Sequence, residues 1–576
     1  MKKILKLFAA IIVMTGVLIL AACGGSSGIK GKLSVDAKRD SLEVTVDFEE
    51  NNKLSDGSTT ISVKLYNADD TYNSTQGVKL SDGAIQGTCK FSNLKSETEY
   101  TLKLYVSIKG IEEEIDVLET KTKNDGSDDG SAISITDLDG LKNMKNDATA
   151  YYKLENDIDV NNTAISIFTS SNSPFKGSFD GNNKTIKNLK LTPVQYTGLF
   201  GITNEATIKN VTLENVTIEI TASIGNSLVY MGSLVGLAEN TTIENVTVKN
   251  LSFTNKADRL FSSSSAKAHV GGLVGQIKTS SSLDSKISNC KVLDSTINLI
   301  DVKGGSTTTQ KTYIYLGLFA GHVTGSTLVE KSNASGNIEL ALNLHQKCKL
   351  GVGGFVGSLS SEKRIASCYT DCTIKATKSG SNTNGEVSIG GLVGVNSIDG
   401  KCNINDAFAI ADIILLGSKE EDKANSTKFA EKLYVGGILG NLAHRSSEGI
   451  KNTIYKAKDK GIDITCKITA TEETVDNTVK TEYNTMVSNT IANVVLSYDS
   501  TINEKIENVY SLSDAVTFDI TAEVSRKVEN EKDEIQAIED IDAVIATIKK
   551  ASSVDAEAGK YLSEDLQKVL NPTTGE

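Results

Sequence analysis

A glycine phrase that recurs seven times constrains this chain more than any other feature. It reads Gly198-Leu199-Phe200-Gly201, Ser233-Leu234-Val235-Gly236, Gly272-Leu273-Val274-Gly275 and Gly317-Leu318-Phe319-Ala320-Gly321. It continues as Gly354-Phe355-Val356-Gly357, Gly391-Leu392-Val393-Gly394 and Gly437-Ile438-Leu439-Gly440. The final glycines, Gly201, Gly236, Gly275, Gly321, Gly357, Gly394 and Gly440, are 35, 39, 46, 36, 37 and 46 residues apart. Such a period marks a repeat architecture, in which each unit buries its apolar face only by stacking on its neighbours. A second phrase follows the first. It appears as Ile208-x-Asn210-Val211, Ile243-x-Asn245-Val246, Ile287-x-Asn289-Cys290 and, more loosely, Ile365-x-x-Cys368. A late copy, Ile506-x-Asn508-Val509, has no glycine phrase before it. Apolar residues alternate after the Asn-Val unit, which predicts short strands and a parallel solenoid. Glycine is expected to supply corners with φ > 0, and asparagine to supply bends and to stack on asparagine in the next unit. The period exceeds a coil of about twenty residues, so two coils per repeat are expected.

Residues 132–526 resemble GLUG-repeat proteins of bacterial surfaces. The opening Tyr152-x-Leu154-x-x-Asp157-Ile158-Asp159 and Phe175-x-Gly177-x-Phe179-Asp180-Gly181-Asn182 fits that resemblance too. The resemblance implies a right-handed parallel β-helix on an exported protein, and it implies no reaction. Between Ile464 and Ile502, a stretch rich in Thr, Asn and Val that reads as a long insertion, the phrase disappears.

The N-terminus reads as an address. Lys2, Lys3 and Lys6 precede an apolar run, Leu7 to Leu20, which is short for a membrane span. Leu20-Ala21-Ala22-Cys23 resembles the lipobox of bacterial lipoproteins, which implies cleavage after residue 22 and acylation of Cys23. Residues 1–22 are then the signal peptide and 23–30 the lipidated cysteine with a Gly/Ser tether. Each buried CH₂ of the acyl chains would contribute about 0.8 kcal/mol of anchoring. The expected location is the bacterial cell surface, held to the cell membrane or outer membrane by that lipid.

Residues 31–123 alternate with period two (Leu42, Val44, Val46; Ile61, Val63, Leu65; Leu102, Leu104, Val106), which predicts a β-sandwich. Leu94, Thr98 and Tyr100 resemble the tyrosine corner of fibronectin type III domains, although Ser96 stands where that family prefers proline and the early tryptophan is absent. Residues 124–131 are a polar linker. In residues 527–576, Ile535, Ile538, Ile541, Ile545 and Ile548 share a helical stripe, which predicts a helical tail capping the open end of the repeats. The fold expected is all-β: an N-terminal β-sandwich (fibronectin type III/Ig-like), then a right-handed parallel β-helix solenoid, with a C-terminal helical tail.

Chemistry is scarce. The net charge of -13 without a basic stripe argues against nucleic acid. There is no Trp, and there are only 4 His. His269, His322 and His444 lie near glycine phrases and read as isolated surface residues. The seven cysteines after Cys23 have no metal-site spacing; Cys290 and Cys368 fall in the slot of Val211 and Val246, which predicts buried thiols. Asp157, Asp159 and Asp180 are the acids a β-helix hydrolase or lyase would need, and Asp180-Gly181-Asn182 reads more simply as a turn. No nucleophile elbow, phosphate loop or dinucleotide fingerprint occurs. The expectation is a monomeric, non-enzymatic adhesin or display module without cofactor or metal, binding a host protein or glycan. A carbohydrate-active enzyme and a structural surface-coat component are the alternatives.

Overall fold

The computed structural model describes residues 28–567 apart from short loops and longer stretches, chiefly 258–266, 304–311, 418–429, 443–448, 495–505, 527–533 and 538–561. Cys23 and the preceding Leu20, Ala21 and Ala22 lie outside the described residues. The chain is nearly all β, and it divides into two compact units between Ile133 and Ser134.

The first unit contains two antiparallel sheets. One joins Gly31–Ala37, Ser41–Phe48 and Gln86–Ser92; the other joins Tyr72–Val78, Thr59–Asn67, Glu99–Ile108 and Ile111–Lys121. Leu42, Val44 and Val46 from the first share one core with Val63, Leu65, Leu102 and Leu104 from the second. This arrangement is compatible with a sandwich. Tyr100 is buried, and its hydroxyl accepts the Lys95 N–H at 3.1 Å.

The second unit opens on a helix, Leu138–Asn143, whose first turn is capped by the Asp137 carboxylate accepting the Gly140 N–H at 2.8 Å. Leu141 and Met144 are fully buried there. Three sheets follow, parallel throughout except for two antiparallel pairs late in the long one, and successive repeats supply successive strands to each. In the long sheet, Ile208 pairs with Ile243, Ile243 with Ile287, Ile287 with Val329, Val329 with Ile365, and the column runs on through Ile404 and Ile450 to Ile506. One strand enters each glycine phrase and one leaves it. These build an incoming sheet, from Tyr196–Thr197 to Thr485–Ser488, and an outgoing sheet, from Phe200–Asn204 to Ile491–Val494. Ile208 and Ile243 are one period apart, so each repeat forms one layer rather than the two coils expected from its length.

The glycines act differently from expectation. None of the seven final glycines of the phrases has a positive φ. The constraint is steric. A Cβ on Gly275 would lie 2.6 Å from the Gly236 carbonyl oxygen, and one on Gly321 2.6 Å from that of Gly275. The column continues with Gly357 against Gly321 (2.7 Å), Gly394 against Gly357 (2.6 Å) and Gly440 against Gly394 (2.7 Å). Only glycine lets the backbone of one layer press onto the phrase of the layer before it.

Asparagine takes the left-handed positions instead. Asn210, Asn245 and Asn289 have φ of 57°, 55° and 52°, and Asn188, Asn215 and Asn250 have 57°, 55° and 55°. Their side chains form ladders between layers. Asn245 Nδ2 donates to Asn210 Oδ1 (2.9 Å), and Asn210 Nδ2 to Asp180 Oδ1 (3.0 Å). Asn250, Asn215 and Asn188 form a parallel ladder that ends on Asp159. Each ladder needs an acceptor at its N-terminal end, and an aspartate provides it.

Two further expectations are corrected. The stretch between Ile464 and Ile502 contains a repeat without glycine: Ser488 pairs with Gly436 and Ile491 with Leu439. Ala492 thereby stands where the preceding layer has Gly440. In the tail, Ile535 lies in a strand, Glu534–Ala537, antiparallel to Val516–Arg526, because ladder pairing there outweighs the helical stripe. Ile538, Ile541, Ile545 and Ile548 lie outside the described residues. Farther on, Glu564 and Leu566–Gln567 are helical. Leu562 and Leu566 are buried against Phe408 and Ile454 of the long sheet, in a cluster apart from the main core, so this segment covers strands laterally.

Candidate functional site

The re-entrant angle between incoming and outgoing sheets holds a row of rings. In strand Lys267–Gly271, Ala268 and Val270 are fully buried and His269 points the opposite way. Register aligns His269 with Tyr230 and Tyr315, and Tyr230 with Tyr196. On the outgoing side, Leu237, Gln276, His322 and Ser358 form one column. Gly321 sets the distance between the two columns. A Cβ there would lie 2.7 Å from the His269 carbonyl carbon. Its absence lets His322, the next residue, reach His269.

The two imidazole rings are 4.9 Å apart, edge to face. Tyr315 stacks on His269 at 5.5 Å and tilts against His322 at 5.2 Å; Tyr230 meets His269 edge-on at 5.3 Å. Hydrogen bonds run through the cluster. His269 Nδ1 meets Gln276 Oε1, Gln276 Nε2 meets His322 Nδ1, and His322 Nε2 meets Ser360 Oγ, each at 3.2 Å. With the Gln276 amide oriented this way, the matching tautomers are His269 donating through Nδ1–H, and His322 accepting at Nδ1 and donating through Nε2–H. An accepting Nδ1 makes the His322 ring neutral in this arrangement, and burial disfavours the charged form of His269. Burial holds His269 well below the ordinary imidazole range, with the neighbouring His322 adding to the effect and Gln276 opposing it. Burial, then Lys267, lowers His322 to about 4. Burial also pushes the Tyr230 hydroxyl up to about 12. Toward the N-terminus the same angle turns apolar, with Ile202, Tyr230 and Leu237 packed together beside Tyr196 and Leu228.

The histidines thus correct an expectation. His269 and His322 form one buried or half-buried cluster rather than isolated surface sites. They lie 53 residues apart, on opposite sides of different phrases, so spacing alone does not reveal the contact. Aligning the phrases would have revealed it: one precedes its phrase, the other follows. His444 and His345 lie outside the described residues.

The acids at the array's opening accept backbone amides, Asp159 and Asp180 within turns and Asp157 across to a strand. Asp157 Oδ1 accepts the Thr185 N–H (2.8 Å), Asp159 Oδ1 the Asn161 N–H (2.8 Å) and Asp180 Oδ1 the Asn182 N–H (2.8 Å). Among the described residues, no group of three or more His, Cys, Asp or Glu is placed to hold a metal ion. Cys290, Cys348, Cys368, Cys372 and Cys402 are buried and Cys89 is half-buried, each outside any disulfide, and the Cys466 side chain lies outside the described residues. Burial pushes the thiols of Cys290 and Cys368 up to about 12, which leaves them protonated and inert.

A family model described as the N-terminal region of M26 IgA1-specific metallo-endopeptidases matches residues 93–250. That span runs from the last strands of the first unit through the first two glycine phrases. Among curated proteins no relative matches the chain. Among solved structures, the sensor domain of an anti-sigma factor from Pseudobacteroides cellulosolvens aligns at 16% identity. The alignment covers 16% of this chain and 74% of that one, with a TM-score of 0.13.

Proposed function

We propose that this chain is a lipid-anchored bacterial surface protein that works by binding, as an adhesin or display module. In this reading Cys23 carries the lipid, the first unit is a fibronectin type III-like spacer, and the repeats form a right-handed parallel β-helix of the GLUG kind. The observation that carries it is the register of the three parallel sheets, which repeats side-chain positions layer after layer and so presents long columns to a ligand. The polar groups a hydrolase would use support the same reading, because Asp159 and Asp180 accept turn amides and Asp157 accepts the amide of Thr185 in a neighbouring strand. No helix among the described residues is long and apolar enough to cross a membrane. The description of the matching family names IgA1, so IgA1 is the first ligand to test.

The test is a binding array presenting IgA1, matrix proteins and glycans to the chain that begins at Cys23. Saturable binding with the ligand left intact is expected. Cleavage of a bound protein, or release of reducing ends or unsaturated uronides from a polysaccharide, would overturn the binding-only reading. Separately, Cys23→Ala is expected to move the protein out of the membrane fraction; retention there would contradict the anchor.

A further inference from the structure

The hydrogen-bonded row from Ser360 to His269 crosses three consecutive repeats. His269 and Gln276 flank one phrase, His322 follows the next, and Ser360 follows the third. Its central member is an amide, which offers one face that accepts and one that donates. With both rings neutral, every contact matches a donor to an acceptor. One added proton is tolerated. On His322 it requires the Gln276 amide to turn over, so that Oε1 faces His322 and Nε2 faces an unprotonated His269 Nδ1. Two protons are not tolerated: both rings would present Nδ1–H to Gln276, and one would face an N–H. The two charges would also sit 4.9 Å apart in a poorly hydrated angle.

The surroundings provide no relief. On the incoming strands the rings are bordered by Tyr230 and Tyr315, with Tyr313 beside Tyr315, and Lys267 opposes charge on both rings. Lys267 also lies over the Tyr313 ring, 5.6 Å from its centre. Glu239 and Lys278, at the far ends of neighbouring outgoing strands, pair with each other at 3.3 Å; Lys349 and Glu386, in the Lys267 column, pair at 3.1 Å. Ser358 and Ser360 complete the outgoing side without adding charge.

We propose that Ser360, His322, Gln276 and His269 form an acid-operated clasp, which joins three repeats while neutral, admits one proton and parts when a second arrives. Parting would uncover the Tyr230 and Tyr315 rings, so the row changes from a sealed joint to an accessible aromatic strip as the surroundings acidify. The partner of the strip is left to the binding array; the clasp does not depend on it.

The test uses the chain from Cys23 with ¹⁵N-labelled histidine rings, titrated from pH 7.5 to 4 alongside amide exchange. The sequence has four histidines, so the ring spectrum is simple. At pH 6.5 two rings are expected to be neutral with opposite tautomers. Between about pH 5.5 and 4, amide protection in 267–278, 312–325 and 356–361 is expected to fall at least tenfold, while 389–394 keeps its protection. Gln276→Glu places an acceptor before both rings, so their titration is expected to move up by at least one pH unit and the acid opening to disappear. Should that variant fail to fold, the wild-type ring titration decides alone. Four rings charged by pH 5.5, full protection at pH 4, or a folded Gln276→Glu chain opening at the wild-type pH would each overturn the clasp.

Discussion

Each repeat turns at two kinds of corner, and the contrast between them shows what the sequence spends its small residues on. The phrase corner carries glycine, and the long-sheet bends carry asparagine. Glycine is usually the residue for left-handed backbone, yet here asparagine takes that conformation, with φ near 55° at Asn210, Asn215, Asn245 and Asn250. Glycine serves where backbone meets backbone: a Cβ on Gly394 would lie 2.5 Å from the Val352 nitrogen. One corner is limited by space and the other by dihedral angle. Asparagine suits the second because its amide also bonds the layer before it. Substitutions should therefore rank oppositely at the two corners.

The largest effect is expected at the phrase. Gly357→Ala sets a methyl group against the Leu316 nitrogen and the Gly321 oxygen, neither of which can yield without breaking sheet pairing. A loss of about 3 kcal/mol or more is expected in denaturant unfolding. A loss below about 1 kcal/mol would remove the steric half of the contrast. At the bend, Asn245→Ala should lose about 2 kcal/mol, from left-handed strain together with the broken ladder bond. Asn245→Gly should lose about 1 kcal/mol, since it keeps the conformation and removes only the bond. If the glycine variant is the weaker of the two, the dihedral half fails. A third effect joins the corners through pH. The unfolded chain binds protons at its histidines near pH 6.5, and the folded His269 and His322 bind them only at lower pH. The stabilisation from these neutral rings is thus complete above pH 6.5 and is lost as pH falls toward about 4. The unfolding midpoint should drop across that window, and less so in His322→Asn. The smallest effect is expected away from both corners. Lys249 and Glu214 pair at 3.8 Å with side chains 45% and 33% exposed, so Lys249→Ala should shift stability by no more than about 0.5 kcal/mol.

The repeat was legible because its marker is steric, and through seven successive phrases that demand is met by glycine. Where the demand relaxes, the marker fades. Ser488 and Ala492 stand at glycine positions in the layer that closes the incoming and outgoing sheets, so the late Ile506-x-Asn508-Val509 copy seemed to lack a partner phrase. The layer count per repeat was misjudged because a long perimeter and two stacked coils give the same period; only the pairing of Thr207 with Thr242 distinguishes them. The helical stripe through Ile535 misled because spacing of three and four also fits residues that a strand can place. The His269–His322 contact was hidden because it depends on how closely two strands approach, which a glycine at 321 decides and a spacing rule does not see.

The central claim is that the glycine phrase is the joint between consecutive repeats. Its own amides carry the link: Leu234 N–H donates to Leu273 O (3.0 Å), Leu273 to Phe319 (2.9 Å), Phe319 to Phe355 (3.0 Å), Phe355 to Leu392 (2.9 Å) and Leu392 to Ile438 (3.1 Å). Amide hydrogen exchange of the whole chain at pH 7.5 tests this directly. The amides of Leu234, Leu273, Phe319, Phe355 and Leu392 should be among the slowest in the chain, with similar protection from repeat to repeat. Exchange of these amides within minutes, or at rates matching exposed loops, would contradict the account.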